Sequence, residues 1–171
     1  MTATAPRSPK RSSGLVVERV GPGHPDALRL VEEVQQEYVV RYGGRDDTPL
    51  DPLVFEPPTG SFFVGYLDDE PAASGAWRRR GDVEVFGTVE TAEIKRMYVA
   101  GRVRGLGLGR AMLAHLERTA AEAGAVAMVL ETATGQPEAI ALYESSGYTP
   151  IASFGHYAWS PRNRCFAKPL G

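Results

Sequence analysis

Apolar and polar positions along the chain follow two periods, and the switches between them mark out its elements. Leu15–Val20 (LVVERV) is short and rich in β-branched residues, so it reads as a strand. From His24-Pro25-Asp26 the period lengthens: Leu28, Val31, Val34, Gln35 and Tyr38 recur at helical spacing, and the pattern predicts a helix through about Tyr42. Ser61–Leu67 and Ala72–Arg80 return to strand character, joined by a turn at Asp68 to Pro71. Thr91–Val99 is a further strand, with a short one expected at Val83–Phe86. Leu106 to about Gly124 carries the stripe Leu108, Met112, Leu116, Ala120 and reads as a helix. Val126–Glu131 is apolar enough for a central strand. Pro137–Ser146 is a helix with proline in its first turn and Gly147 at its C-cap. Strands at Tyr148–Ala152 and Cys165–Pro169 end the chain.

This alternation predicts an α/β or mixed α+β fold in one domain, residues 14–171, preceded by a flexible basic tail over residues 1–13. The 171-residue length suits a single core. The Gly43–Gly60 connection, with Pro49, Pro52, Pro57 and Pro58, is long enough to be functional.

Charge changes the picture more than composition does. The 19 basic and 21 acidic residues give a formal −2. Without the tail, which holds Arg7, Lys10 and Arg11 and no acid, 16 basic groups face 21 acidic ones, a net of −5. Broad nucleic-acid binding, which needs a basic face to neutralise phosphates, is disfavoured. Within the remainder, residues 95–110 hold Lys95, Arg96, Arg102, Arg104 and Arg110 with no acid. A compact anion site in an otherwise acidic domain is therefore expected, with acidic surroundings that favour a cationic partner. The single cysteine, Cys165, allows no internal disulfide, and His24, His115 and His156 are too scattered for a metal site. No stretch reads as a secretory signal or membrane span, so a cytoplasmic protein without membrane association is expected.

Arg102-Val-Arg104-Gly105-Leu106-Gly107-Leu108-Gly109-Arg110 lies between a strand and a helix. Glycines there allow tight turning and close backbone approach, and the helix start offers free N–H groups to an anion such as a pyrophosphate. The dinucleotide pattern GxGxxG fails at Arg110, and no Gly-Lys-Ser/Thr follows. In the preceding strand the apolar phase shifts between Ile94 and Met97, which predicts a β-bulge at Lys95–Arg96.

Glu93-Ile-Lys-Arg-Met-Tyr-Val99, Arg104-Gly-Leu-Gly-Leu-Gly109 and Glu138-Ala-Ile-Ala-Leu-Tyr143 with Gly147-Tyr148 together resemble the GCN5-related N-acetyltransferase (GNAT) superfamily, from about Leu15 to Leu170. The resemblance implies a mixed, mostly antiparallel sheet of six to seven strands. The fourth and fifth strands would splay to admit acetyl-CoA. Met97, Tyr98 and Val99 would then line its pantetheine arm. The loop of Arg104, Gly105, Leu106, Gly107, Leu108, Gly109 and Arg110 would hold its pyrophosphate. Gln136 stands where the family often has Asn.

The implied activity is acetyl transfer to a primary amine by direct attack in a ternary complex, with a small-molecule acceptor and no metal. Tyr143 matches the family's thiolate acid. Glu93 is the expected base, with Glu131 as its competitor. A protein or peptide N-terminal acetyltransferase and a non-catalytic CoA-binding sensor are the alternatives, and a homodimer is left open. His156 and Tyr157 read as a surface pair, and Arg78-Arg79-Arg80 as a solvated strand end.

Overall fold

The computed structural model describes residues 14–48 and 51–171. The tail expected over residues 1–13 therefore lies outside the described residues. Seven strands form one sheet: β1 (Val16–Val20), β2 (Gly60–Leu67), β3 (Glu70–Arg80), β4 (Thr91–Val99), β5 (Ala127–Ala133), β6 (Thr149–Ile151) and β7 (Asn163–Pro169), in the order β1-β2-β3-β4-β5-β7-β6. All neighbours are antiparallel except β4 and β5. Three helices cover the sheet: α1 (Pro25–Tyr42), α2 (Leu108–Glu122) and α3 (Pro137–Ser145). The described residues thus form an α/β domain with a mixed, mostly antiparallel sheet.

Side-chain alternation on the strands builds a core on each face of the sheet. Phe62 and Val64 of β2 pack with Ala27, Leu30 and Val34 of α1. Phe63 points the other way and joins Met112, Leu113 and Leu116 of α2. The stripe on α2 is fully buried, and the helix sits so close to β3 that a Cβ at Gly75 would lie 2.9 Å from the Leu116 side chain. Helix α1 starts where the sequence says it should, because His24 Nδ1 accepts the Asp26 N–H at 3.1 Å and so caps it.

Two elements differ from the sequence reading. The strand expected at Val83–Phe86 is a tight turn: Phe86 (φ 52°) and Gly87 (φ 75°) reverse the chain, leaving only the bridge Val85–Thr88. The second helix begins at Leu108 rather than Leu106, because Gly107 is left-handed (φ 78°) and stands outside it as N-cap.

Candidate active site

Strands β4 and β5 pair in parallel only from Thr91–Ile94 against Ala127–Leu130. Beyond that they part, β4 running on to Val99 and β5 to Ala133. The bulge expected at Lys95–Arg96 begins at the same place. Between Ser74 and Ala76 the β3–β4 register slips, Arg96 takes φ 55°, and its carbonyl accepts the Ser74 hydroxyl at 2.8 Å. As a result Ile94, Lys95, Arg96 and Met97, four consecutive residues, all reach the gap.

The gap opens into two cavities. One, of about 400 Å³, is lined by Tyr98, Val99, Arg104, Gly105, Gly107 and Gly109, with Leu108 beneath. The other, of about 410 Å³, is lined by Lys95, Arg96, Glu131, Tyr157, Trp159 and Arg162, among others. Val34, Tyr38, Met97, Gln136 and Tyr143 face both. The structure thus brings most of the expected cofactor residues to one cavity, and Tyr143 to the junction. Leu106 and Arg110 stand off: Leu106 is exposed, and the Arg110 guanidinium donates to the Ser145 and Ser146 hydroxyls at 2.9 and 3.1 Å.

The glycine loop has the character of an anion cradle. Gly105 (φ 84°) and Gly107 (φ 78°) adopt left-handed conformations that side-chain-bearing residues resist. Among the described residues, the amides of Gly107, Leu108, Gly109 and Arg110 donate to no backbone or side-chain acceptor, and the first turn of α2 has no side-chain cap. Four N–H groups at the positive end of a 15-residue helix match a pyrophosphate. At Gly109 a Cβ would lie 3.3 Å from Leu142 and 3.6 Å from Val99, so the backbone is held close to the gap. These residues fit CoA.

The concentrated anion site expected from residues 95–110 is not what forms. Arg104 is neutralised by Glu37 (2.6 and 2.8 Å), and Arg102 donates to the Pro71 carbonyl. Lys95 and Arg96 face the second cavity. The free amides carry the loop's anion affinity instead. The expectation of acidic surroundings for an acceptor is also corrected, since the second cavity presents Arg45, Lys95, Arg96 and Arg162 against Asp46 and Glu131.

Glu93 needs a correction too. It is 1% exposed, and its Oε1 accepts from Arg78 Nε at 2.8 Å and from an Arg80 NH group at 2.9 Å. Among the described residues it lines neither cavity. Its carboxyl group is committed to two guanidinium groups rather than presented to either cavity. Arg78 and Arg80 are its partners rather than a solvated strand end. Two carboxylates do reach the second cavity: Asp46, which accepts from Thr48 and Tyr157, and Glu131, which burial pushes above the ordinary carboxylate range against the opposing pull of Lys95.

Tyr143 is 6% exposed, with its ring edge-on to Tyr148 at 5.7 Å. Burial, helped by Tyr38 nearby, raises its hydroxyl well above the ordinary tyrosine value, so it stays protonated at neutral pH. Its hydroxyl makes no hydrogen bond with any described residue.

Tyr157 is no bystander. Its hydroxyl donates to Asp47 Oδ1 (2.6 Å) and Asp46 Oδ1 (3.0 Å), while His156 Nε2 lies 3.0 Å from Asp47. These contacts clip the β6–β7 loop to the segment after α1 across the second cavity. Buried Gln35 fixes the other side by accepting the Asp46 N–H at 2.8 Å. Sequence reasoning missed Arg162 and Asn163, which reach the cavity only through the β5–β7 pairing.

Comparison with known proteins agrees with this geometry. The model of the Acetyltransferase (GNAT) family matches residues 28–148. An IAA acetyltransferase of Azospirillum brasilense is 29% identical over 162 residues, covering 91% of this chain and 98% of that protein. Among solved structures, a Klebsiella pneumoniae protein provisionally named acyl-CoA N-acyltransferase superposes with a TM-score of 0.73 at 25% identity, over 93% of this chain and 99% of its own. A GNAT-family acetyltransferase of Staphylococcus aureus gives 0.70 at 18% identity, over 91% and 100%. Splayed strands, free loop amides and a family match spanning both lead to one conclusion: the chain belongs to the GNAT family of acetyltransferases.

Proposed function

We propose that this acetyltransferase moves the acetyl group of acetyl-CoA to the primary amine of a small molecule, in a ternary complex without a covalent enzyme intermediate. The observation that carries this reading is the junction of two cavities at Tyr143, Met97 and Gln136, one with free loop amides and one with a buried carboxylate. Such an arrangement lets both substrates be present together, with their reacting ends meeting at the junction.

Acetyl-CoA supplies an activated thioester carbonyl; a C–N bond forms and the C–S bond breaks. The amides of Gly107 to Arg110 would hold the pyrophosphate, and the extended backbone of β4 past the bulge would align the pantetheine arm. Proton handling falls to side chains. A lysine-like amine of pKa ~10.4 costs about 4–5 kcal/mol to deprotonate at pH 7. Glu131, raised by burial, is the group suited to receive that proton. Tyr143, held protonated by burial, is suited to donate to the departing thiolate.

The small acceptor is supported by the clip between the two loops, which narrows the second cavity to about 410 Å³. That volume suits a small molecule. The Azospirillum relative, named for IAA rather than for a protein, agrees. The test is acetyl-CoA-dependent release of CoA thiol over a panel of small amines and N-terminal peptides. Release with small amines is expected. Release with peptides alone would replace the acceptor class, and binding without release would replace catalysis by sensing.

A further inference from the structure

The acceptor cavity contains two opposite charges that do not satisfy one another. Lys95 enters from the bulge of β4 and Glu131 from the far end of β5, on the two diverging edges of the gap. Among the described residues Lys95 closes no ion pair within 4.0 Å, neither with Glu131 nor with Asp46. Glu131 Oε2 is enclosed without a hydrogen-bond partner against Gly155, where a Cβ would come to 2.4 Å. Of the other charges nearby, two are committed, while the Arg162 guanidinium on the same wall closes no ion pair among the described residues. Arg96 lies 3.6 Å from Asp46, and Arg45 is held by both oxygens of Glu32 at 2.8 and 2.9 Å. Aromatic rings of Tyr38, Tyr42 and Trp159 supply much of the remaining wall.

Lys95 and Arg162, neither paired with a carboxylate among the described residues, and Glu131, with one oxygen unpartnered, line one small space and complement a molecule carrying an ammonium and a carboxylate. We propose that the acceptor is a free amino acid with an apolar or aromatic side chain, its ammonium on Glu131, its carboxylate on Lys95 and its side chain against the tyrosine and tryptophan walls. The inference rests on the amine-transfer reading above and names its substrate class. A cavity built for a carboxylate discriminates strongly against the same amine without one, because the lysine is then left desolvated and unpaired. A diamine or polyamine would set a second positive charge against Lys95 and Arg96, and so is disfavoured by the same groups. The ammonium gives one proton to Glu131, which passes it to solvent, and the neutral nitrogen bonds to the acetyl carbon as the C–S bond breaks. The thiolate takes a proton from Tyr143, the second nitrogen proton leaves as the amide forms and restores the Tyr143 hydroxyl, and an N-acetyl amino acid with a single negative charge departs.

The test uses matched pairs: phenylalanine with phenethylamine, tyrosine with tyramine, and leucine with isoamylamine. The kcat/KM for thiol release is compared within each pair. The carboxylate-bearing member is expected to win by ~10-fold or more. In Lys95→Gln that ratio should fall toward one, and in Lys95→Arg, which keeps the charge, it should persist. A merely structural role for Lys95 would lower both members together and leave the ratio in place, which would overturn the proposal. Acetylation of the decarboxylated amines alone would also overturn it while leaving amine transfer standing. If acetyl-CoA raises the melting temperature but no member of any pair is acetylated, amine transfer itself fails and the inference with it.

Discussion

Replacing Tyr143 by Phe separates chemistry from packing with little ambiguity. The ring is buried among the core residues of α2, β5 and β7, and Phe preserves that packing. The hydroxyl has no hydrogen-bond partner among the described residues, so its removal strands no other group. Stability is therefore expected to be nearly unchanged, since the ring keeps its packing and the residue lines the cavity junction. Catalysis should respond differently. A positioned general acid contributes ~10²–10⁴-fold, about 2.7–5.4 kcal/mol at 1.36 kcal/mol per decade. Burial also raises the tyrosine hydroxyl above its free value of 10, so the wild-type acid stays protonated from pH 7 to 10 and its rate should fall only above that range.

The assay is initial-rate thiol release at saturating acetyl-CoA and acceptor, run alongside thermal melts with and without acetyl-CoA. A ligand at about 100 times its Kd adds ~2.7 kcal/mol, or about 5–10 °C in a domain of this size. Tyr143→Phe should keep that shift and lose at least ~10²-fold in turnover. Turnover within a few-fold of wild type would refute the acid role. Joint loss of turnover and melting shift would make Tyr143 structural.

Three further outcomes are expected. Gly107→Val, at a left-handed position with open space around it, forces backbone strain of ~1–3 kcal/mol rather than a clash. Calorimetry should show acetyl-CoA affinity falling by ~10-fold or more in a folded protein. Glu131→Gln should lower turnover yet raise the melting temperature above about pH 5. With its folded pKa raised, wild-type Glu131 favours the fold when protonated, and that contribution is lost as pH climbs through the raised value. A variant less stable than wild type at pH 8 would contradict the burial argument. Leu116→Ala, at a fully buried site against Gly75, should cost ~2–5 kcal/mol in denaturant unfolding.

The sequence revealed whatever local chemistry decides. Glycines at 105 and 107 announced a left-handed loop, and the phase slip from Ile94 to Met97 announced the bulge. The stripe from Leu108 to Ala120 identified the helix that lies on β3. Hidden were the facts that depend on which strands are neighbours. Glu93 looked like a base because strand periodicity says nothing of Arg78 and Arg80 on the adjoining strand, which the β3–β4 register brings to it. The five positive charges of residues 95–110 looked like one site, but the bulge turns Lys95 and Arg96 toward the second cavity while Glu37 of α1 absorbs Arg104. Tyr157 and Asp46, 111 residues apart, meet only in the folded chain.

The most direct test of the account is a single measurement: thiol release from acetyl-CoA as each small amine is added, with product mass as confirmation. The account predicts acetyl-CoA-dependent release with one or more amines and a product heavier than the acceptor by one acetyl group. A clear acetyl-CoA-induced rise in melting temperature, with no release above the amine-free rate for any acceptor, would contradict it.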